Sequence, residues 1–345
     1  MQRLQSATPR SQSTVTATAL PNYRTEPDIA VSVCIVNWNC SELLRDCLYS
    51  LLHAPQGASL EVIVVDNAST DGAAGMVTRE FPQVRLIRNT ANAGFAAANN
   101  QAARHARGAY LFFLNNDTVV PPYALGHLLD FLEAHPDVAL VGPRLVGSDG
   151  RSQRAHRKQP TVAAFLHRIW LFRLTGLFRA RYRAYRRSLS DPEWPCEVEM
   201  LLGAAVLVAR RRFEDIGGWD EDFTFGGEDL DLCLRARRHG PIVYCPHVAV
   251  THVGSASTKA NIAYASPHIA AGYVRYFRKA GAAPGTLLLY KLAVTLDAPL
   301  RLVVKSIQYV LRRCRGRSRS AAKSLLGVRS VAAFLRRGLI AFWKA

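Results

Sequence analysis

Apolar residues in the first third of the chain come in short runs, and each run stops at an amide or a carboxylate. VSVCIV (31–36) ends at Asn37-Trp38-Asn39, EVIVV (61–65) at Asp66-Asn67, and YLFFL (110–114) at Asn115, Asn116 and Asp117. Continuous apolar runs of this length predict strands buried on both faces. Between them lie helix-like stretches over 42–52, with Ser41 as N-cap, over 73–80 and over 95–106, and a short strand over 84–87. This alternation predicts an α/β fold, a parallel sheet with helices on both faces. Such sheets bind ligands beyond the C-terminal ends of their strands. Asn and Asp favour turns in any protein, so one such strand end says little. Three at one sheet edge point to a site.

The pattern then changes. After Pro121-Pro122 a helix is predicted to about 133, VALVGPRLV (138–146) reads as a short strand pair, and VEMLLGAAVLVAR (198–210) as one buried strand. The segment 213–240 carries paired glycines at 217–218 and 226–227, which mark flexible turns, and then a helix over 228–238. Glu228, Asp229 and Asp231 in its first turn suit the helix dipole. With Asp220, Glu221 and Asp222 close by, the acids exceed what capping needs. PIVYCP (241–246) and VAVTHVGS (248–255) read as two more strands, with His247 and His252 near the end.

Charge adds a second theme. The 345 residues are 49% hydrophobic and 20% charged, enough for a substantial core, and carry a formal net charge of +18. Such a surface attracts a polyanion: nucleic acid, an anionic membrane or a phosphorylated substrate. The basic residues cluster. Segment 154–187 holds ten Arg or Lys and no acid, interleaved with aromatic and aliphatic residues, and the last 60 residues hold thirteen and one acid, Asp297. Both read as amphipathic and interfacial. The chain therefore divides into a disordered tail over 1–28, a domain over 29–255 with a basic insertion over 154–187, and a basic helical region over 256–345. No run of 18 apolar residues predicts a membrane span, and the N-terminus lacks the apolar core of a secretory signal. Seven cysteines, an odd number without a CxxC pair, suit reduced buried thiols in the cytoplasm and form no zinc site.

Four segments in order, VSVCIVNWN, EVIVVDNASTDG, NAGFAAANN through FFLNND, and GGWDEDFTFGGEDLDLCLR, resemble the inverting glycosyltransferases of family 2. The likeness spans about 31–255 and is greatest to the rhamnosyltransferase-like branch that builds bacterial cell-surface polysaccharide. It implies a GT-A fold, a Rossmann-like, mixed and mainly parallel sheet. It implies a nucleotide-diphosphate sugar donor, whose base and ribose lie at Ile35, Val36, Asn37 and Asp66, with Asn92, Gly94 and Asn116 near the nucleotide. The family's DxD motif binds Mg²⁺ or Mn²⁺. Asn115, Asn116 and Asp117 stand in its place here, so one carboxylate remains. Waters and phosphate oxygens can complete an octahedral shell around it, and His252 matches the place of a further ligand. The family's base is an acid of the ED motif: Asp229, with Glu228 as second choice. Trp219 and Asp220 would line the pocket for the acceptor, a glycan or lipid-linked hydroxyl.

Other readings fit less well. A dinucleotide dehydrogenase needs GxGxxG after the first strand, where this chain has NWNCSELL. A nucleotidyltransferase leaves the ED helix unexplained. A nucleic-acid-binding protein accounts for the charge, but the charge sits in amphipathic segments beside an acid-lined pocket. Peripheral attachment to the anionic inner face of the cell membrane explains it more directly, and no nucleic-acid partner is expected. The incomplete DxD leaves a catalytically inactive paralogue open.

Overall fold

The computed structural model describes residues 29–186, 192–254 and 261–345. The tail expected over 1–28 and the first residues of the C-terminal region, 256–260, lie outside the described residues.

Strand β1 (Val31–Asn37) is followed by α1 (Ser41–Leu52), β2 (Leu60–Asp66), α2 (Ala73–Glu80), β3 (Arg85–Arg88), α3 (Phe95–His105) and β4 (Tyr110–Asn115). The apolar runs form parallel ladders: β1 pairs with β2 and β4, and β2 with β3. Register places Asn37 opposite Asp66 and Val36 opposite Asn115. The three runs thus stop at one edge, as their sequence demands. Ser41 is the first residue of α1 rather than its cap, and the Asp71 carboxylate accepts its N–H at 2.8 Å.

The rest of the core runs through β5 (Thr118–Val119), α4 (Ala124–Ala134), β6 (Leu140–Val146), β7 (His156–Arg157), α5 (Val162–Leu166), α6 (Trp170–Thr175), α7 (Arg179–Arg186), β8 (Cys196–Glu197), β9 (Met200–Leu201), β10 (Ala205–Ala209), α8 (Arg210–Ile216), α9 (Glu228–Ala236) and β11 (Ile242–His252). Among the described residues the main sheet has the order β3-β2-β1-β4-β10-β6-β11-β5, with β8 on β11. β10 is antiparallel to β4 and β6, so the sheet is mixed.

Three sequence readings change. Leu140–Val146 is one strand, not a pair, and Ile242–His252 is also one strand where two were expected. The prolines explain both: Pro143 stands opposite Cys245, next to the register shift between Cys245 and Ala249 that contains Pro246. A residue without an N–H is tolerated at such a bulge. Conversely, 198–210 is two strands. β9 pairs with β7 and β10 with β4, and Gly203 lies in the bend between them. The core fills the space under the sheet, with Phe112 and Phe113 of β4 fully buried. Each such side chain contributes roughly 1.5–3 kcal/mol of burial.

Three long helices follow: α10 (Ile262–Lys279), α11 (Pro284–Cys314) and α12 (Ser318–Ala333). The short basic helices pack on them through Phe165, whose ring lies 4.6 Å from Tyr273 and 5.3 Å from Phe277. One face of α11 is open: Leu292, Leu296, Leu300, Val303, Ile307 and Val310 are exposed at helical spacing. No helix among the described residues is long and apolar enough to cross a membrane.

Candidate active site

At the sheet edge the strand-end side chains hold one another. Asn116 donates to Asn37 Oδ1 at 2.6 Å, and Asn37 Nδ2 donates to Asp66 Oδ1 at 3.2 Å and to Ser69 Oγ at 3.1 Å. Asn67 donates to Asn92 Oδ1 at 3.0 Å and to the Gly94 carbonyl, and accepts from Asn89 and from the Ala93 N–H. These buried amides are satisfied by each other, so the loops after β1, β2 and β3 form one rigid ledge. Gly94 (φ 89°) has no room for a side chain, since a Cβ there would lie 2.7 Å from the Thr224 carbonyl. The ledge is one wall of a cavity of about 350 Å³, lined by Trp38, Asn67, Asn92, Asn116 and Asp117 among others.

Pairing of β11 with β5 sets His252 opposite Thr118, which brings two buried residues far apart in sequence together. His252 Nε2 lies 3.3 Å from Asp117 Oδ1, and Asp117 Oδ2 accepts the Gly254 N–H at 3.1 Å. The other ring nitrogen, Nδ1, is 2.8 Å from Gln153 Oε1, and Gln153 Nε2 donates to the His252 carbonyl at 2.6 Å. That second bond orients the amide, so its oxygen takes the Nδ1 proton. In a neutral imidazole this leaves a lone pair on Nε2 facing a carboxylate oxygen. Two acceptors at this distance suit a proton or a cation between them. A histidine held through its other nitrogen is also the usual arrangement of a metal ligand. Asp117 and His252 therefore fit a divalent cation as two ligands of an incomplete shell; no group of three or more His, Cys, Asp or Glu gathers among the described residues.

The opposite wall is the loop before α9 and the helix itself. Asp229 Oδ1 accepts the Leu230 N–H at 2.9 Å, and Oδ2 lies 3.8 Å from the Arg157 guanidinium. Arg157 comes from β7, so the basic segment read as an insertion begins inside the site. Glu228 Oε2 is buried and has no hydrogen-bond partner among the described residues. Burial, and then the Asp229 carboxylate beside it, push its pKa up to about 8. Side by side, the two acids differ in setting: burial favours the protonated form of Glu228, and Asp229 faces a cation.

Helix α10 fixes this wall. Gly272 touches the loop so closely that a Cβ would lie 1.9 Å from the Gly226 carbonyl. Lys279 bridges Asp220 at 2.6 Å and the fully buried Asp231 at 2.5 Å, and Arg235 pairs with Asp231 at 2.7 Å. Partial burial opposes ionisation of Asp220, but the Lys279 hydrogen bond and the Asp222 N–H outweigh it and hold its pKa below the usual value. Ile269 and Tyr273 of α10 line the cavity.

Of the residues singled out by sequence, Val36, Asn92, Asn116, Asp117, Glu228, Asp229 and His252 line this one cavity. Ile35, Asn37, Asp66 and Gly94 stand behind it: Ile35 is core, Asn37 and Asp66 brace the ledge, and Gly94 gives the loop its close approach. Trp219 and Asp220 lie elsewhere. Trp219 is 2% exposed and packs edge-on against Phe95 and Phe113, while Asp220 is held by Lys279. The sequence reading passed over Trp38, Asn67, Gln153, Arg157 and Tyr273. The first two sit inside the quoted motifs and were within reach. The others depend on pairings that span the chain.

Residues 32–192 match the family model for glycosyl transferase family 2, and 183–259 match one described as the N-terminal domain of galactosyltransferase. The chain is 31% identical over 215 residues to the N-acetylglucosaminyl-diphospho-decaprenol L-rhamnosyltransferase of Mycobacterium tuberculosis, covering 58% of this chain and 68% of that one. It is 31% identical over 239 residues to the O-antigen biosynthesis protein RfbC of Myxococcus xanthus, 67% of this chain but 18% of that relative's length. Its fold is similar to the mannosyltransferase PcManGT of Pyrobaculum calidifontis, solved with GDP-Man and Mn²⁺: the TM-score is 0.51 at 22% identity, over 90% of this chain and 87% of that one.

Proposed function

The chain belongs to glycosyl transferase family 2, and from that premise we propose that it moves a sugar, rhamnose by our reading, from a nucleotide-diphosphate donor to a hydroxyl of a cell-envelope glycan or lipid-linked acceptor, with inversion. The observation that carries this reading is one cavity with Asp117 and His252 on one wall and Asp229 on the other. The diphosphate lies over Asp117 and His252, with the base and ribose against the ledge near Trp38, Asn67 and Asn92. A Mg²⁺ or Mn²⁺ ion there would offset the charge that develops on the leaving diphosphate.

Asp229 takes the proton of the acceptor hydroxyl as its oxygen bonds to the anomeric carbon. The bond to the diphosphate breaks on the opposite face, and the electron pair leaves with the nucleotide. Inversion follows from this single in-line step. Arg157 orients Asp229. Glu228, protonated at neutral pH, offers its hydrogen to the bound sugar, so Asp229 alone serves as base. The mycobacterial relative's name includes a diphospho-decaprenol acceptor, which supports the lipid-linked alternative. The open apolar face of α11 and the flanking cations support attachment to an anionic membrane surface.

The test is a panel of nucleotide sugars given to the purified protein with Mn²⁺, with product configuration read by NMR. Asp229→Asn should bind donor as the parent does and lose transfer. Transfer undiminished in that variant, or in EDTA, would remove Asp229 or the cation from the reaction.

A further inference from the structure

The cavity that holds Asp229 has neighbours. Ile269 and Tyr273 line it and also line a second cavity of about 260 Å³ between α5, α10 and α11. That second space is walled by Phe165, Tyr290, Val294 and Phe334. At its far end are Arg168 and Arg301, which also line a third, wider cavity of about 820 Å³. There they meet Arg173 and Lys305, together with the exposed apolar Trp170, Leu174 and Leu300. The chemistry thus changes in a fixed order going away from Asp229: carboxylate, aromatic walls, cations, then apolar side chains open to the surface.

The cations are in excess. Arg301 pairs with Asp297, and Arg168, Arg173 and Lys305 have no ion pair among the described residues. Arg168 is braced over the Phe165 ring at 4.7 Å, with its guanidinium at the boundary of the two cavities. Two guanidiniums at one boundary match the paired oxygens of a phosphate or diphosphate better than any neutral group. The neck, about 260 Å³ and carrying Ser266, Ser330 and Asp297 beside its aromatic walls, is large enough for a sugar ring and offers its hydroxyls polar partners. Beyond the cations, Leu300 continues into the open face of α11 through Leu296, Val303 and Ile307.

We propose that these two cavities form a subsite for a lipid diphosphate. The neck holds the sugar to be extended, Arg168 and Arg301 hold the diphosphate behind it, and the outer cavity takes the start of an isoprenoid chain. Only the sugar's place rests on the transfer reading of the Asp229 site; the diphosphate and the chain can be tested without it.

The probe is farnesyl diphosphate, titrated into the full chain by calorimetry beside farnesol and inorganic diphosphate, with and without saturating nucleotide. Farnesyl diphosphate should bind at least about tenfold more tightly than either fragment, since it alone engages both the cations and the apolar wall. Nucleotide should not displace it. Arg168→Gln should weaken it by about tenfold and Lys305→Glu several-fold. Leu300→Glu, an exposed change, should weaken farnesyl diphosphate and leave inorganic diphosphate alone; nucleotide binding checks that each variant is folded. Displacement by nucleotide, equal binding of inorganic diphosphate, or indifference to all three changes overturns the subsite. So does loss of pelleting with anionic vesicles in these variants when the parent binds no farnesyl diphosphate, which assigns the cations to the membrane surface. If the probe fails to bind while Asp229→Asn abolishes transfer, the subsite falls and the transfer reading stands. If the probe binds as expected while Asp229→Asn still transfers, the reverse holds.

Discussion

At the sheet edge, Asn37 links Asp66 and Asn116, Asn67 links Asn89, Asn92 and Gly94, and every partner lies within the first 116 residues. Across the cavity, Asp229 stands on a helix packed against α10, a later element that meets the loop through Gly272, Lys279 and Arg275 and buries Val274, Tyr276 and Phe277 in the core. The first wall is redundant, since Asn37 and Asn67 each have several partners. The second wall depends on an element that comes late in the chain and touches the loop at the Gly272 backbone. Loss of one ledge bond should therefore be absorbed, whereas loss of one α10 contact should move the base. Enzymes tolerate such movement poorly: a displacement of about 1 Å can cost on the order of 100-fold in rate.

Gly272→Ala puts the largest strain on this contrast. The new methyl meets the Gly226 carbonyl, so α10 and the loop must part. Transfer should fall by more than about 100-fold, while nucleotide affinity, measured by calorimetry, stays within about threefold of the parent. An equal loss of both would mean the two walls move together. Asp117→Ala attacks the other wall. It should lower Mn²⁺-dependent nucleotide binding by about 10–100-fold without shifting the urea midpoint of the free protein. Lys279→Met leaves the fully buried Asp231 with Arg235 alone and should destabilise the fold by about 2–3 kcal/mol in urea titrations. A midpoint equal to the parent's would show that Arg235 suffices.

The last effect, read on stability alone, concerns Glu228. Unfolded, it ionises near 4.5; folded, near 8. Between those values the native state holds a proton that the unfolded state has lost, so stability falls as pH rises through the window. Glu228→Gln removes the dependence. It should be more stable than the parent at pH 8 by about 4 kcal/mol and close to it near pH 4.5. Parallel stability curves over that range would place the proton elsewhere.

The same contrast governs what the sequence could tell. The ledge was legible because apolar runs that stop at Asn37, Asp66 and Asn115 are local signals, and parallel pairing of neighbouring strands does the rest. The helix over 73–80 was legible to the residue. The pairing of His252 with Asp117 was guessed from family likeness, but its geometry comes from a strand contact spanning most of the domain. Helix α10 was legible only as part of the helical region over 256–345, without its bounds or its contact with the site. Pro267 and Gly272 lower its helix propensity, and its close approach to the Gly226 carbonyl leaves no mark in the apolar pattern. The packing of Trp219 was hidden for a related reason. It stands next to the acids in sequence, but its ring points into the core, and chain neighbours one residue apart need not share a face. Arg157 was counted among interfacial charges because a short strand in a basic segment leaves no periodic trace.

Gly272 also bears on how the protein is made. The stretch that matches known families ends at 259, and α10 runs to Lys279. On a ribosome, the sheet and the ledge can settle while the catalytic loop still waits for its clamp. At about 5–20 residues per second that wait is seconds, during which Asp231 has Arg235 and no Lys279. Any fragment cut where the family likeness stops would hold the nucleotide ledge and the catalytic acid but keep that wait permanently. It would be a binder of donors that never completes its machine.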